Sequence, residues 1–259
     1  MNAKTKAMTA AAIVLAAGAA WAVQGTVYTE KTSQTGEIKW QPSSKSYLIL
    51  YKNGTTSVSA EYKVSEVTGI DVPKPASYDR LVELVKSGSG AGAVEGLEAL
   101  VKEYRMAVWD KPAGRYLVQA QLAAGNAQKA LKTAEAIIAD DPKAAWTGDL
   151  APAYWQALLK LGKKSELERQ LKKAAASGGR AASAEALIVR GDMILESEGD
   201  NAAAHRKALV EAYLRVALMY DDAACREPRR DAMLRCADSF AKIGMASRSE
   251  KMRLESERL

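Results

Sequence analysis

Arg115-Tyr116-Leu117-Val118-Gln119-Ala120-Gln121-Leu122-Ala123-Ala124-Gly125-Asn126, continued by Ala127 to Ala139 and closed by Asp140-Asp141-Pro142, sets the architecture of the chain. Apolar residues recur three and four apart on both sides of Gly125, the pattern of two helices that each bury one face. Glycine stops the first helix and Pro142 stops the second, because proline has no amide hydrogen to donate and clashes with the preceding turn. Ala130, five residues after the glycine, is small enough for the two helices to approach closely.

The same pattern runs outward in both directions. Helical spacing is expected over residues 78–86, 94–106, 115–124, 127–139, 152–161, 165–176, 182–196, 202–220, 229–243 and 246–258. Glycines between pair members fall at Gly92, Gly125, Gly162, Gly199 and Gly244, separated by 33, 37, 37 and 45 residues. A period of that size marks a solenoid of helical hairpins, here about five. The high alanine content suits helices packed at short range, and 48% hydrophobic residues with 26% charged exclude a disordered chain.

The offsets of Leu117, Gly125, Ala130 and Pro142 resemble those of the tetratricopeptide repeat (TPR). Around Gly199, Arg190-Gly191-Asp192 and Lys207-Ala208-Leu209-Val210-Glu211-Ala212-Tyr213 are similar, with Gly191 and Ala208 at the two small positions and a turn about four residues longer. The pair around Gly162 keeps the turn but has Leu167 at the small position, and the last helix, largely charged, reads as a terminal cap. The third and fourth pairs particularly resemble envelope members of the superfamily, found in outer-membrane assembly and among Tol–Pal-associated periplasmic proteins. That resemblance implies a TPR-like superhelix that binds other proteins. Carried over, its concave groove would be lined by Arg115 and Gln119, then Asp149, Gln156 and Lys160, then Asp231, Asp238 and Lys242. The offsets from Gly191 and Gly199 disagree for the pair with the longer turn, which receives no groove residues. Mixed charge and amides suit a protein or peptide segment, although the same residues also read as plain surface.

Residues 26–72 are written in a different period, with β-branched and aromatic residues punctuated by turn formers. Ser46 to Lys52, Asn53-Gly54 and Thr55 to Val58 read as a hairpin with a type I′ turn. Four or five short strands suggest a small antiparallel meander or barrel whose strand order resembles SH3-like or Sm-like modules. Trp40, Tyr47, Tyr51 and Tyr62 either pack the core and edge of this module or expose an aromatic platform for peptide or sugar. Pro73-Lys74-Pro75 ends the sheet. The whole is then an α+β chain, mainly α: a β module over residues 23–75 and a helical repeat domain over 76–259.

Lys4 and Lys6, an apolar run from Met8 to Ala20 and the small-x-small triplet Ala20-Trp21-Ala22 read as a removable export signal over residues 1–22. The run is too short and weakly apolar for a comfortable span of about 20 residues, so no stable membrane span is expected after its removal. Losing Lys4 and Lys6 lowers the formal charge from +6 to +4, too mild to imply nucleic acid. The expected location is a bacterial periplasm. Between Lys160 and Arg180 seven basic residues face Glu166 and Glu168, as a solvated helix face or as a contact for an acidic polymer or surface.

Catalytic signatures are absent from the sequence: His205 is the only histidine and reads as surface, and no nucleophile elbow, phosphate loop or zinc motif appears. No metal site or cofactor is expected. Cys225 and Cys236 lie in a chain expected to be exported, where they either bridge or leave Cys236 buried and Cys225 exposed. Together these features point to a non-enzymatic scaffold that binds envelope proteins or peptides through its groove. The alternative is a cell-wall or glycan-associated binder using the aromatic module and the basic helix face.

Overall fold

The computed structural model describes residues 22–259, so the expected export signal lies, but for Ala22, outside the described residues. Two compact units divide the chain: the residues up to Tyr78 with Ala99–Asp110, and Asp79–Glu98 with Lys111–Leu259. The sequence division near residue 75 keeps 99–110 with the helices; by packing, this segment belongs with the sheet.

The first unit is a five-stranded antiparallel sheet: β1 (Val23–Thr29), β2 (Ser33–Gln41), β3 (Ser46–Asn53), β4 (Thr56–Lys63) and β5 (Val67–Asp71), in the order β4-β3-β2-β1-β5. A 3-10 turn at Val64–Glu66 carries the chain from β4 to β5 at the other edge. Asn53 pairs with Thr56, so the hairpin loop is Gly54-Thr55, one residue later than expected. Only Gly54 of the loop has a positive φ (63°), which is the type II′ pattern rather than type I′. The slip has a cause: a one-residue shift would turn Tyr47 and Ile49, both buried, to the opposite face.

Val23, Val27, Ile38, Trp40, Tyr47, Ile49 and Val72 form the core of this unit with Ala107. Trp40 and Tyr47 are buried with ring centroids 5.1 Å apart, and Tyr51 and Tyr62 pack against the same core. The aromatic residues are therefore packing, and no platform of these four is exposed. Segment 104–109 is pinned over them: the Tyr47 hydroxyl donates to the Met106 carbonyl at 2.9 Å, and the Trp109 indole donates to Val72 O at 3.1 Å. These bonds hold Met106 (φ 59°) and Val108 (φ 73°) in the left-handed region, so α2 stops at Glu103 and not at Met106.

Helical hairpins follow: α1 (Tyr78–Lys86) and α2 (Val94–Glu103); α3 (Asp110–Ala123) and α4 (Ala127–Asp140); α5 (Leu150–Lys160) and α6 (Lys164–Ser177). The next pairs α7 (Gly179–Glu198) with a broken second helix, α8 (Ala202–Ala208) and α9 (Leu214–Met219), and the last is α10 (Arg226–Lys242) with α11 (Ala246–Glu257). The fold is α+β and mainly α, a small antiparallel meander followed by helical hairpins.

Local chemistry explains the turns. Gly125 takes φ 77° between α3 and α4, a conformation that a Cβ disfavours, and the inter-helix glycines at 162, 199 and 244 repeat it. Pro142 opens a 3-10 turn, Pro142–Ala145, whose cap Asp141 accepts the Lys143 amide. Ala130 and Ala208 are fully buried at the small positions. At Gly191 a Cβ would come within 2.3 Å of the Tyr213 ring. That contact accompanies a departure from the expected single helix over 202–220: Leu209–Tyr213 is one π turn between α8 and α9.

His205, expected at the surface, is buried. Asn201 caps α8 through bonds from the Ala203 and Ala204 amides, and α8 then packs on α10, placing His205 Nδ1 3.0 Å from Ser239 Oγ and Nε2 2.6 Å from Asp200 Oδ1. Cys225 and Cys236 are both free and both buried, so Cys225 is neither bridged nor exposed. Burial pushes the Cys225 thiol up to about 11 and that of Cys236 up to about 12, which leaves both as thiols at neutral pH.

Candidate functional site: the face of the first helices

Three of the hairpins' first helices are tied together by polar bonds. Gln156 on α5 donates to Asp192 Oδ2 on α7 at 2.7 Å, and Arg235 on α10 reaches Asp192 Oδ1 at 2.7 Å. The Tyr213 hydroxyl donates to Asp192 Oδ1 at 2.8 Å, brought there by the π turn. Asp192 thus receives three donors, and Arg235 also bonds to Asp231 at 3.3 Å. Burial raises the Asp192 carboxyl above the usual carboxylate range, with Arg235, Gln156 and Tyr213 pulling it back. Burial opposes the Arg235 charge, but Asp192 and Asp231 hold the guanidinium protonated.

About two turns before Asp192, Glu185 on α7 lines a cavity of about 440 Å³ together with Arg115, Asp149, Trp155 and Glu227. Glu185 makes no hydrogen bond among the described residues, and Arg115 Nε is buried without a partner. Burial pushes the Glu185 carboxyl up to about 7; Arg115 and Arg235 oppose that rise and Asp231 and Asp192 add to it. The indole of Trp155 is already committed to Ala145 O at 2.8 Å, and this fully buried residue backs the cavity without bringing it a polar group. Glu227 is exposed and paired with Arg230 at 3.1 Å, whereas Asp149, exposed at the entry to α5, makes no capping bond.

The residues carried over by resemblance divide into three groups. Arg115 and Asp149 line the cavity, and Gln156 and Asp231 belong to the bonded cluster beside it. Gln119, one turn beyond Arg115 on α3, is partly buried and makes no hydrogen bond among the described residues. Lys160, Asp238 and Lys242 are exposed and engaged in pairs with Glu196 (3.7 Å), Arg253 (2.6 Å) and Asp200 (2.6 Å). Exposed pairs of this kind contribute little to stability, about 0–1 kcal/mol each.

Glu185, Asp192, Tyr213 and Arg235 are absent from the sequence-derived set. The first two occupy the stretch of α7 where the repeat offsets disagree; the turn expected to be longer there is three residues, 199–201, as around Gly125, Gly162 and Gly244, and the extra residues belong to α7 itself. Their seven-residue spacing on one helix, flanking the small Gly191, is the signal that could have placed them. On α6, Lys163, Lys164 and Lys172 are exposed, Arg169 is paired with Glu166 at 2.5 Å, and Lys173 lies 4.6 Å from the Trp146 ring centroid. Among the described residues no cluster of His, Cys, Asp and Glu could hold a metal ion, and no helix is long and apolar enough to cross a membrane.

No family model and no curated protein matches this chain. Among solved structures, two of the nearly identical TPR-like repeats of a Podosopora anserina protein of kinesin light chain type are similar to it. One is 16% identical with a TM-score of 0.39, and the other, a point variant of the same protein, is 15% identical with a TM-score of 0.40. Each alignment covers 71% of this chain and 92% of the other.

Proposed function

We propose that this protein is a non-enzymatic, exported scaffold of the bacterial envelope that holds a segment of another protein against the face formed by α3, α5, α7 and α10. The observation that carries the reading is the open polar cavity on that face, where Arg115 and Glu185 lack hydrogen-bond partners beside a cluster whose members are bonded to one another. Unsatisfied buried polar atoms such as Arg115 Nε are rare, and a bound ligand is one way to complete them and the partly buried Glu185 beside them. Export to the periplasm is supported by Lys4, Lys6, the apolar run and Ala20-Trp21-Ala22. The sheet serves as a second contact surface; its reading as an SH3-like module rests on the return of β5 to the edge beside β1.

The second reading, binding of an anionic cell-wall polymer, keeps only its basic half: Lys163, Lys164 and Lys172 exposed on α6 favour it, and the buried aromatics of the sheet do not. A photo-crosslinking residue at Gln119, compared with one at exposed Lys132 on α4, tests the first in the native host. The scaffold reading expects a protein adduct at 119 that is absent at 132 and lost on Arg115→Glu. Adducts at both positions alike, or none, would overturn it. Retention on purified peptidoglycan that disappears on charge reversal of Lys163, Lys164 and Lys172 would favour the polymer.

A further inference from the structure

We infer that the cavity between α3, α5, α7 and the start of α10 is a socket for one basic side chain, lysine or arginine, of the partner segment. The inference rests on the scaffold reading and names the chemistry that the groove selects. Three carboxylates, Asp149, Glu185 and Glu227, face one guanidinium, Arg115, around the cavity; Glu227 alone of the three has a cation of its own, Arg230. With Glu227 paired, Asp149 balances Arg115, and the charge left over is that of Glu185: none while it holds its proton, negative once it ionises, so a basic guest gains an attraction that an acidic guest does not.

The satisfied and unsatisfied atoms point the same way. Glu185 is partly buried, and an ionised carboxylate stripped of part of its water without a partner is costly, so burial keeps its proton on to about pH 7. An ammonium or guanidinium placed beside it removes that penalty and supplies the missing donors. Arg115 Nε needs an acceptor instead, and the backbone carbonyl next to the inserted side chain is an acceptor within the same guest. The remaining wall includes partly buried Pro152, backed by the buried Trp155 and Pro228, an apolar side against which the methylene stem of a lysine or arginine can lie. A volume of about 440 Å³ is at the lower end of the range for small-ligand sites, about 300–1,000 Å³, which suits a side chain and not a folded element.

A consequence is pH-dependent affinity. The groups facing Glu185 are Arg115, Asp192, Asp231 and Arg235, with Asp149 and Glu227 across the cavity. Lysine and arginine stay charged throughout pH 6–8, so in this range Glu185 is the group whose ionisation must accompany binding, and affinity rises with pH.

The test is an amide NMR titration of the full chain with four blocked heptapeptides, identical but for a central lysine, arginine, glutamate or leucine. The expected result is binding of the lysine and arginine peptides at least tenfold tighter than the other two at pH 8, with shifts centred on Trp155, Ala182 and Glu185. Glu185→Gln should weaken the lysine peptide about tenfold and abolish the change between pH 6 and 8; Asp149→Asn, at an exposed position, should weaken it severalfold. Equal binding of all four, preference for glutamate, or indifference to both substitutions would overturn the socket. If the peptides fail while the residue-119 crosslink still captures a protein, the socket falls and the scaffold stands.

Discussion

Two clusters on one face of the helical unit treat buried charge in opposite ways. Around Asp192, Gln156, Tyr213 and Arg235 each bring a donor to the carboxylate, and Asp231 shares the guanidinium. Around Glu185 the charges are of similar number, yet the carboxylate makes no hydrogen bond and Arg115 Nε has no acceptor. Both glutamate and aspartate stand on α7, seven residues apart, so the difference lies in what the neighbouring helices deliver. The π turn swings Tyr213 into the first cluster, and α5 adds Gln156; at the second, α3 and α5 leave an open volume. A closed polar cluster fixes the register of helices, whereas an open one waits for groups from outside the chain.

The comparison is broken most severely at Asp192. Asp192→Ala leaves the largely buried Arg235 and the Tyr213 hydroxyl without their acceptor and should lower stability by about 3–5 kcal/mol, measured by chemical denaturation. A loss below about 1 kcal/mol would show that the cluster is not the structural one. Glu185→Gln should act in the opposite direction. Below pH about 4.5 both folded and unfolded chains carry the proton, so the substitution is neutral there; between about 4.5 and 7 the unfolded chain releases the proton while the folded chain keeps it. Stability contributed by this site therefore falls as pH rises through that window and is flat above it. The variant should be more stable than the parent by about 3 kcal/mol at pH 8 and equal at pH 4, taking 1.36 kcal/mol per pKa unit over a rise from 4.5 to about 7. Taking the difference between the two proteins cancels the similar but separate contribution of Asp192.

Smaller effects sharpen the same contrast. Tyr213→Phe removes one of the three donors on Asp192 and should cost about 1 kcal/mol in a thermal or chemical melt. Val108→Gly, in the sheet unit, relieves a β-branched residue from φ 73° and should raise stability by about 1 kcal/mol. Asp238→Ala breaks only an exposed pair with Arg253 and should change stability by less than about 0.5 kcal/mol, falling further with salt.

What the sequence showed and what it hid follow from the range of the forces involved. Helix periodicity, the glycine turns and the small residues Ala130, Gly191 and Ala208 are local, and the hairpins appear where they recur. The π turn at Leu209–Tyr213 is set by the contact of Tyr213 with Gly191 and Asp192 across the hairpin, which no local spacing announces. Val108 and Met106 take positive φ because Tyr47 and Val72, distant in sequence, hold segment 104–109. His205 misled for a related reason, since its isolation in sequence says nothing of Ser239 on α10. Of the groove, the resemblance carried over Arg115, Asp149, Gln156 and Asp231 but not Glu185, because the repeat offset fails on α7, where the extra residues lengthen the helix itself to 20 residues and the turn to α8 stays three residues long, 199–201.

The most direct test of the open socket is the titration of the Glu185 carboxyl itself, followed by carbon-13 NMR of the full chain with and without the lysine peptide. The account predicts a midpoint near 7 in the free protein, falling toward the ordinary glutamate range when the peptide is bound. A free-protein midpoint already near 4.5, or one that the peptide leaves unmoved, would contradict it.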